Sequence, residues 1–450
     1  MSRFALVALK RLLVTSCVLL FISIAGRTQQ QPVADSALTL DQCVAYALQH
    51  EPLINMAIVN QAIVTANNRI AVAGWLPQVN AQGNLTHYNT LPTGFFTDSG
   101  RVVNSKTGVI NTFTPTLAVT QTIFNPALLY AVHTEPLYNK QARQITDSIK
   151  IEIVAAVSKT FYSLLNTLEQ INVLKEDTAR LAKNVSDTYH QFVSGVADKT
   201  NYDEAVISLN NSLFSLRQAG EAIRPQYAQL KQVMGYPPAG QFNVSYDTLQ
   251  MRSDIAFDTT MPLDMSKRPE FQYLQTTKQL QLQTVDYYRH AWIPTVGAFF
   301  DYEYEFENNQ FSKLFSQAYP FNYVGLSFSV PIFTGFARTQ NIKKARLQYD
   351  LLDWNEVELK SQIWTDYTTA MANYKSNLYN LTVSKENTDL AKETYGIVNL
   401  QYLQGVVPYL NVITAETNLI TSELTYETSL FQVLSSKIDL EKAMGIITIK

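Results

Sequence analysis

The longest run of helical periodicity in the chain covers residues 336–404. It contains no proline and a single glycine, Gly396. Its apolar side chains recur at intervals of mostly three and four residues: Ile342, Ala345, Tyr349, Leu352, Leu359, Ile363, Tyr367, Ala370, Tyr374, Leu378 and Leu381. At about 1.5 Å per residue this helix would be roughly 100 Å long, which no compact domain of this size accommodates. The narrow stripe instead predicts coiled-coil-like packing between long helices.

The organisation of the chain is repeated. Residues 191–235 align without gaps with residues 401–445, and the identities are densest at the two ends of the alignment. These are Gly195-Val196 against Gly405-Val406, and Met234-Gly235 against Met444-Gly445. Upstream, Trp75-Leu76-Pro77 and Trp292-Ile293-Pro294 each lead from a helical stretch into a strand-like one. Each half therefore reads as helix, strand, strand, very long helix, turn and helix.

The helical pattern is more regular in the second repeat than in the first. After the turn at Gly405, the predicted apolar stripe consists of Leu410, Ile413, Thr417, Ile420, Leu424, Phe431, Leu434 and Ile438. In the first repeat, Pro136 predicts that the long helix breaks or kinks near His133–Glu135, because proline removes a backbone hydrogen bond.

The strand-like segments alternate with period two. Residues 295–307 place Val296, Phe300 and Tyr304 on one face and Asp301, Glu303 and other polar residues on the opposite face. Residues 78–86 and 322–330 alternate in the same way, and Thr122-Ile123-Phe124 closes a further strand. About ten alternating residues with terminal aromatics are typical of outer-membrane barrel strands. The alternative is a half-buried antiparallel sheet of a soluble protein. If the four strands span the membrane, several chains must contribute to one barrel, because bacterial barrels begin at about eight strands and lipid tolerates no open edge.

The N-terminus predicts export. Arg3, Lys10 and Arg11 precede the apolar segment 12–25, which is the layout of a signal peptide over residues 1–28. Cys17 offers lipid attachment as an alternative, although little apolar sequence precedes it. Cys43 is then the only cysteine of the mature chain, so no internal disulfide is possible, and we expect it to be a small buried apolar residue. No later segment reads as a transmembrane helix.

Composition and motifs argue against several functions. The net charge of −3 gives no electrostatic case for a nucleic-acid partner. The five histidines are far apart, and no phosphate loop or nucleophile elbow occurs, so we expect no enzyme activity and no cofactor. The acidic residues Asp301, Glu303, Glu305 and Glu307 alternate along one strand, which a solvated strand face explains better than a metal site does.

Taken together, these features resemble the TolC-like outer-membrane efflux proteins over essentially the whole mature chain. The resemblance rests on the order and spacing of Leu38-Thr39-Leu40-Asp41-Gln42-Cys43, Arg268-Pro269-Glu270, the two Trp-x-Pro strand entries and the paired Gly-Val turns. It implies a mixed α/β membrane protein in which two repeats give four strands to a trimeric, twelve-stranded barrel continuous with a periplasmic helical barrel. The implied function is an export duct in the outer membrane that extends into the periplasm, serving a tripartite efflux or type I secretion system.

The resemblance also assigns the domains and partners. It implies a first repeat over 29–235, an equatorial connecting segment over 236–267 and a second repeat over 268–450, with extracellular loops at 90–111 and 307–320. The implied partners are two further copies of the chain, outer-membrane lipid, and a periplasmic adaptor that leads to an inner-membrane pump. The tip turns at Gly195, Val196, Gly405 and Val406 would contact that adaptor. A periplasmic coiled-coil adaptor or scaffold remains the alternative function.

The periplasmic aperture is carried over by position. Many relatives have a pore-facing aspartate six residues after the turn glycine, where this chain has Asn201 and Asn411. Thr414 occupies a second position that is commonly acidic, and Tyr402 matches a tyrosine of the closing network. The resemblance therefore implies a neutral aperture that would show little cation block. Asp203 and Glu204 lie close by, but helical geometry turns them away from Asn201.

Overall fold

A computed structural model describes residues 37–98, 100–246, 251 and 254–449. The predicted signal peptide and Cys17 lie outside the described residues. The first half contains β1 (Ala37–Leu38), α1 (Leu40–His50), α2 (Pro52–Val72), β2 (Gln78–His87), β3 (Thr93–Asp98), β4 (Arg101–Lys106), β5 (Asn111–Phe124), α3 (Pro126–Val193), α4 (Lys199–Met234) and β6 (Asn243–Val244). The second half contains α5 (Pro269–His290), β7 (Thr295–Asn308), β8 (Ala318–Ser329), α6 (Ala337–Leu403) and α7 (Tyr409–Met444).

Four long strands form one antiparallel sheet in the order β2-β5-β7-β8. The predicted strand at 78–86 corresponds to β2, and the one at 295–307 corresponds to β7. Strand β8 begins four residues earlier than the alternation at 322–330 indicated. The expected loop at 90–111 contains the hairpin β3–β4, because Phe95, Phe96, Val102 and Val103 favour an extended backbone.

The helices form two long hairpins, α3–α4 and α6–α7, which contact each other through α3 and α7. Both ends of helix α6 lie within one residue of the predicted limits. Its buried residues include Ala345, Ile363, Ala370 and Tyr374, as the apolar stripe indicated. Helix α3 runs through Pro136 as one element of 68 residues, so a break near His133–Glu135 is wrong, and of the two expected alternatives only the kink stays a prediction. A side chain of α2 binds the backbone next to the proline: Asn68 Nδ2 donates to the Glu135 carbonyl over 3.4 Å.

The apolar stripe predicted for α7 is only partly correct. Toward its far end, Phe431 and Leu434 are buried as expected, but at the tip end Leu410 is 60% exposed and Thr417 is also exposed. The buried residues there are Tyr409, Val412, Ala415, Glu416, Leu419 and Glu423. Two glutamates interrupt this buried seam, which explains why a count of apolar residues selected the neighbouring face.

The repeated Met-Gly pairs mark equivalent junctions of the two halves. Gly235 ends α4 at φ +66° and lies against the backbone of Glu51, while Gly445 ends α7 at φ +69° and lies against Lys267. Arg268 reinforces the second junction, because its buried guanidinium donates to the Ala443 carbonyl over 2.9 Å and to Glu270 over 3.0 Å. The Arg-Pro-Glu motif therefore closes the end of α7.

The main apolar core lies near these junctions. Cys43 is fully buried there beside Phe161, Leu230 and Leu434, as expected for a small apolar residue. Burial raises the pKa of the Cys43 thiol to about 12. No helix in the described part of the chain is long and apolar enough to cross a membrane.

Candidate functional site at the hairpin tips

The two hairpin tips have the same backbone geometry. Gly195 and Gly405 both adopt φ +74°, in the left-handed region that favours glycine. The N–H of Val196 donates to the Gln191 carbonyl over 2.9 Å, and the N–H of Val406 donates to Gln401 over the same distance. These bonds close the ends of α3 and α6 in the same helix-terminating turn. Val196 and Val406 are 78% and 67% exposed, so each tip presents an apolar side chain to its surroundings.

Tyr402 connects the two hairpins near their tips. Its hydroxyl donates to Gln191 Oε1 over 2.5 Å, which joins α6 to α3. Asn201, at the start of α4, lies beside the same hydroxyl. Burial raises the pKa of Tyr402 above its ordinary value, so the phenol stays neutral at physiological pH. The structure thus brings together two of the four predicted aperture residues.

A small apolar cluster supports this contact. Ala205, Tyr409 and Val412 are buried, and Tyr402 packs against them with its ring 5.2 Å from that of Tyr409. The Tyr409 hydroxyl is buried without a hydrogen-bond partner among the described residues. Since Tyr402 and Tyr409 lie on either side of the Gly405 turn, the cluster fixes the second hairpin tip against α4.

The other two predicted aperture residues lie apart from this contact. Asn411 and Thr414 are exposed on α7, and the Thr414 hydroxyl donates to the Leu410 carbonyl over 2.9 Å. Asp203 is also exposed, with its carboxylate 3.5 Å from the Lys199 ammonium one turn away. Glu204 is half-buried. The predicted site residues therefore fall into a packed pair, Asn201 and Tyr402, and an exposed pair, Asn411 and Thr414.

Sequence reasoning missed a buried ionic cluster further along the helices. Asp177 and Arg180 of α3 meet Glu416 and Glu423 of α7, and Asp177 is fully buried. The available signal was the spacing of Tyr409, Val412, Glu416, Leu419 and Glu423 by alternating steps of three and four, which places the glutamates in the seam. Among the described residues, no group of three or more His, Cys, Asp or Glu side chains is arranged to hold a metal ion.

Comparisons with known proteins agree with this architecture. A family model described as outer membrane efflux protein matches residues 44–236 and 265–446. Among curated protein sequences, none matches the chain significantly. The fold is similar to that of CusC, with a TM-score of 0.73, 14% identity, and coverage of 93% of this chain and 95% of CusC.

Further solved structures share the fold. The outer-membrane protein VceC from Vibrio cholerae matches with a TM-score of 0.70 and 15% identity, over 90% of this chain and 96% of VceC. The open state of the Neisseria gonorrhoeae MtrE outer-membrane channel matches with a TM-score of 0.68 and 16% identity, over 90% of this chain and 88% of MtrE.

The family match covers most of the chain in two blocks, and it favours a channel over the alternative of a periplasmic adaptor. This family consists of efflux channels rather than of enzymes. The fold class that the sequence predicts is confirmed, and so is the outer-membrane location with extension into the periplasm. The chain belongs to the outer membrane efflux protein family and is an outer-membrane channel subunit.

Proposed function

We propose that three copies of this chain assemble into one export duct, which joins a periplasmic adaptor and, through it, an inner-membrane pump of a tripartite efflux or type I secretion system. The observation that carries this proposal is the open four-stranded sheet, whose edges are β2 and β8. An open edge is not tolerated in lipid, so each edge needs a partner from another chain. Three copies of four strands supply a closed barrel of about twelve.

The direction of the edge strands is compatible with such closure. Every neighbouring pair in the order β2-β5-β7-β8 is antiparallel, so β2 and β8 run in opposite directions. Strand β8 of one copy can therefore pair with β2 of the next copy in the same antiparallel sense. An even number of strands per chain is what this arrangement needs, because an odd number would bring parallel strands together at every junction between copies.

Two unpartnered helix faces support the same closure. Helix α6 follows β8 and exposes Leu347, Leu351 and Trp354 by 57%, 59% and 73%. These residues lie on one side of α6, about 160° around the helix from the side that packs within the chain. Helix α2 precedes β2 and exposes Met56 and Ile63, among other apolar side chains, by 59% and 50%. Pairing of β8 with the next β2 brings these two apolar faces side by side.

The tips and the connecting segment complete the proposed duct. Asn201, Tyr402, Asn411 and Thr414 line the periplasmic aperture, and the exposed Val196 and Val406 beside Gly195 and Gly405 contact the adaptor. The segment 236–267, between the repeats 29–235 and 268–450, forms an equatorial band around the helices. The β3–β4 hairpin and the short helical segment Phe311–Ser316 lie at the extracellular end of the barrel.

The assembly is tested by measuring the mass of the purified protein in detergent. We expect a trimer for the unaltered chain and for Arg346→Glu, an exposed control change on another side of α6. Trp354→Glu places a charge in the proposed α6–α2 contact, so it should give mostly monomer that does not insert stably. A folded, membrane-inserted monomer of the unaltered chain would refute the architecture. Normal trimers of Trp354→Glu would refute the helix contact alone.

A further inference from the structure

The seam of α7 contains two charged residues where coiled coils ordinarily have apolar ones. Tyr409, Val412 and Leu419 are almost fully buried, and so are Glu416 and Glu423, which are 2% and 9% exposed. Removing carboxylates from water costs free energy that apolar residues of similar size would avoid. The two glutamates therefore make the packing of α7 less stable than apolar residues would. Their contacts show which groups they bind in return.

One arginine joins both glutamates to the other hairpin. Arg180 of α3 places Nε 3.6 Å from Glu416 Oε1 and Nη2 3.8 Å from Glu423 Oε2, both on α7. The same Nη2 lies 3.2 Å from Asp177 Oδ1 on its own helix. The guanidinium carbon also lies 5.9 Å from the centre of the Tyr395 ring on α6. A single side chain thus contacts three helices, and it does so across the interface between the two hairpins.

The surrounding groups extend the cluster to all four helices. Ser212 of α4 donates to Asp177 Oδ2 over 2.6 Å, and Asn184 of α3 donates to Glu416 Oε2 over 3.0 Å. Lys392 of α6 lies 3.2 Å from Glu423 Oε1. The charged groups that act directly on Glu416 are Asp177 and Arg180. Glu423 joins the cluster through Arg180, and Lys392 joins it through Glu423. The neutral phenols of Tyr395 and Tyr409 lie nearby. Three carboxylates meet two cations, which leaves one negative charge uncompensated.

The pairing of Arg180 with Glu416 is incomplete. The two facing atoms, Arg180 Nε and Glu416 Oε1, are buried and have no hydrogen-bond partner among the described residues. A buried acceptor without a donor favours the protonated acid. Burial first, and then the nearby Asp177 carboxylate, raise the pKa of Glu416 to about 7. Burial also raises the pKa of Asp177.

We propose that Arg180 and Glu416 are positioning residues of the gate, which hold the α6–α7 hairpin against the α3–α4 hairpin while the aperture is closed. This inference rests on the proposed placement of the aperture at the hairpin tips. Glu416 lies about 10 Å along α7 from Tyr409, directly beyond the cluster that packs Tyr402 and Tyr409 against α4. Separation of the tips therefore pulls on this interface, and an opened interface admits water to the cluster.

The proposal gives the closed state a defined pH dependence. In the packed cluster the pKa of Glu416 is raised, whereas after hydration it returns toward its ordinary value of 4.5. The resulting stabilisation of the packed state is complete below that ordinary value and is lost as the pH rises through about 7. The channel should therefore close more firmly in acid and open more readily in alkali. The two amides and the two hydroxyls of the aperture residues do not change charge in this range.

The test is the conductance of the full-length channel in planar bilayers between pH 5.5 and 8.5 at fixed salt. Full hydration of Glu416 on opening would change the closed–open equilibrium by at most about thirty-fold over this range. We expect the unaltered channel to show a several-fold rise in open fraction with a midpoint near neutral pH. Glu416→Gln should abolish this dependence, because the amide has a similar shape and cannot ionise.

Two further variants make the test specific. Arg180→Met removes the cation that joins the hairpins, so it should raise the open fraction at every pH. Asp203→Asn removes an exposed charge near the tip and should leave the pH profile unchanged. A pH dependence that persists in Glu416→Gln, or a conducting unaltered channel with a flat profile, would overturn the inference. Absence of any inserted, conducting trimer would instead count against the proposed function.

Discussion

Four glycines with nearly the same backbone conformation allow folding and export to be separated experimentally. Gly195 and Gly405 at the tips have φ +74°, while Gly235 and Gly445 at the repeat junctions have φ +66° and +69°. Any L-residue in this region is strained by about 1–2 kcal/mol. This contribution is common to all four sites, so a difference between their alanine variants must come from the neighbouring atoms.

The neighbouring atoms differ sharply between the two pairs. A Cβ added at either tip glycine would have no heavy atom within 4 Å. A Cβ at Gly445 would lie 2.9 Å from the Lys267 carbonyl carbon, and one at Gly235 would lie 2.8 Å from Glu51 Cα. Backbone atoms cannot rotate away as a flexible side chain can. We therefore expect overpacking to add about 1–3 kcal/mol at the junction glycines and nothing at the tips.

The expected result is that Gly445→Ala lowers the temperature at which the trimer dissociates far more than Gly405→Ala does. Displacement of Lys267 would also disturb the adjacent Arg268, whose guanidinium donates to Ala443. The assay is heat-dependent dissociation of the purified trimer on a gel, together with the amount of trimer recovered from outer membranes. Equal losses at Gly405 and Gly445 would refute the argument, because they would show that backbone strain alone determines the effect.

Three other predictions concern the tip and the junction. Gly405→Trp should abolish export in cells while trimer levels stay normal, because the free tip has room for the larger side chain but the contact with the adaptor has none. Normal export at normal protein levels would count against placing Gly405 in the adaptor contact. Asn411→Asp should introduce up to about three carboxylates around the trimer axis and create divalent-cation block, whereas Asn411→Ala should raise conductance. Micromolar block of the unaltered channel would indicate another acidic group at the aperture. Arg268→Gln should destabilise the trimer by about 1–3 kcal/mol, since the buried Ala443 carbonyl loses its charged donor; an unchanged dissociation temperature would contradict this assignment.

The long elements were predictable from sequence because their patterns are long. Helix α6 repeats its apolar spacing over many turns, so its limits followed from periodicity, as did the burial of Ala345, Ile363, Ala370 and Tyr374. The burial of Met371, Ser384 and Thr388 did not follow from it. Strand β7 alternates over its entire length and keeps one continuous register with β8, whereas its register with β5 shifts between Thr122 and Phe124. The repeat of Met-Gly indicated equivalent helix ends, although only the structure shows that each glycine contacts the backbone of the segment preceding another helix.

The errors have local physical causes. Pro136 removes one helical hydrogen bond, but α3 is held on either side by α2 and α5, and this packing outweighs the loss. The hairpin β3–β4 is not an error of this kind, because it lies within the predicted extracellular loop 90–111, whose internal structure the resemblance did not specify. In α7 the count of apolar residues selected the wrong face near the tip, because it gave no weight to Glu416 and Glu423, whose spacing with Tyr409 and Leu419 marks the buried seam.

The ionic cluster occurs where the two repeats diverge. In the gap-free alignment of 191–235 with 401–445, Glu416 corresponds to Val206 and Glu423 corresponds to Leu213. The tip turns and the helix-ending glycines are shared by both repeats, so these features serve the folding of each hairpin. The two buried glutamates belong to the second hairpin, whereas Arg180 and the buried Asp177 belong to the first. The two hairpins share their turns and helix ends but differ at the surface where they meet. Only the second hairpin contributes the glutamate that gives the proposed contact its pH dependence.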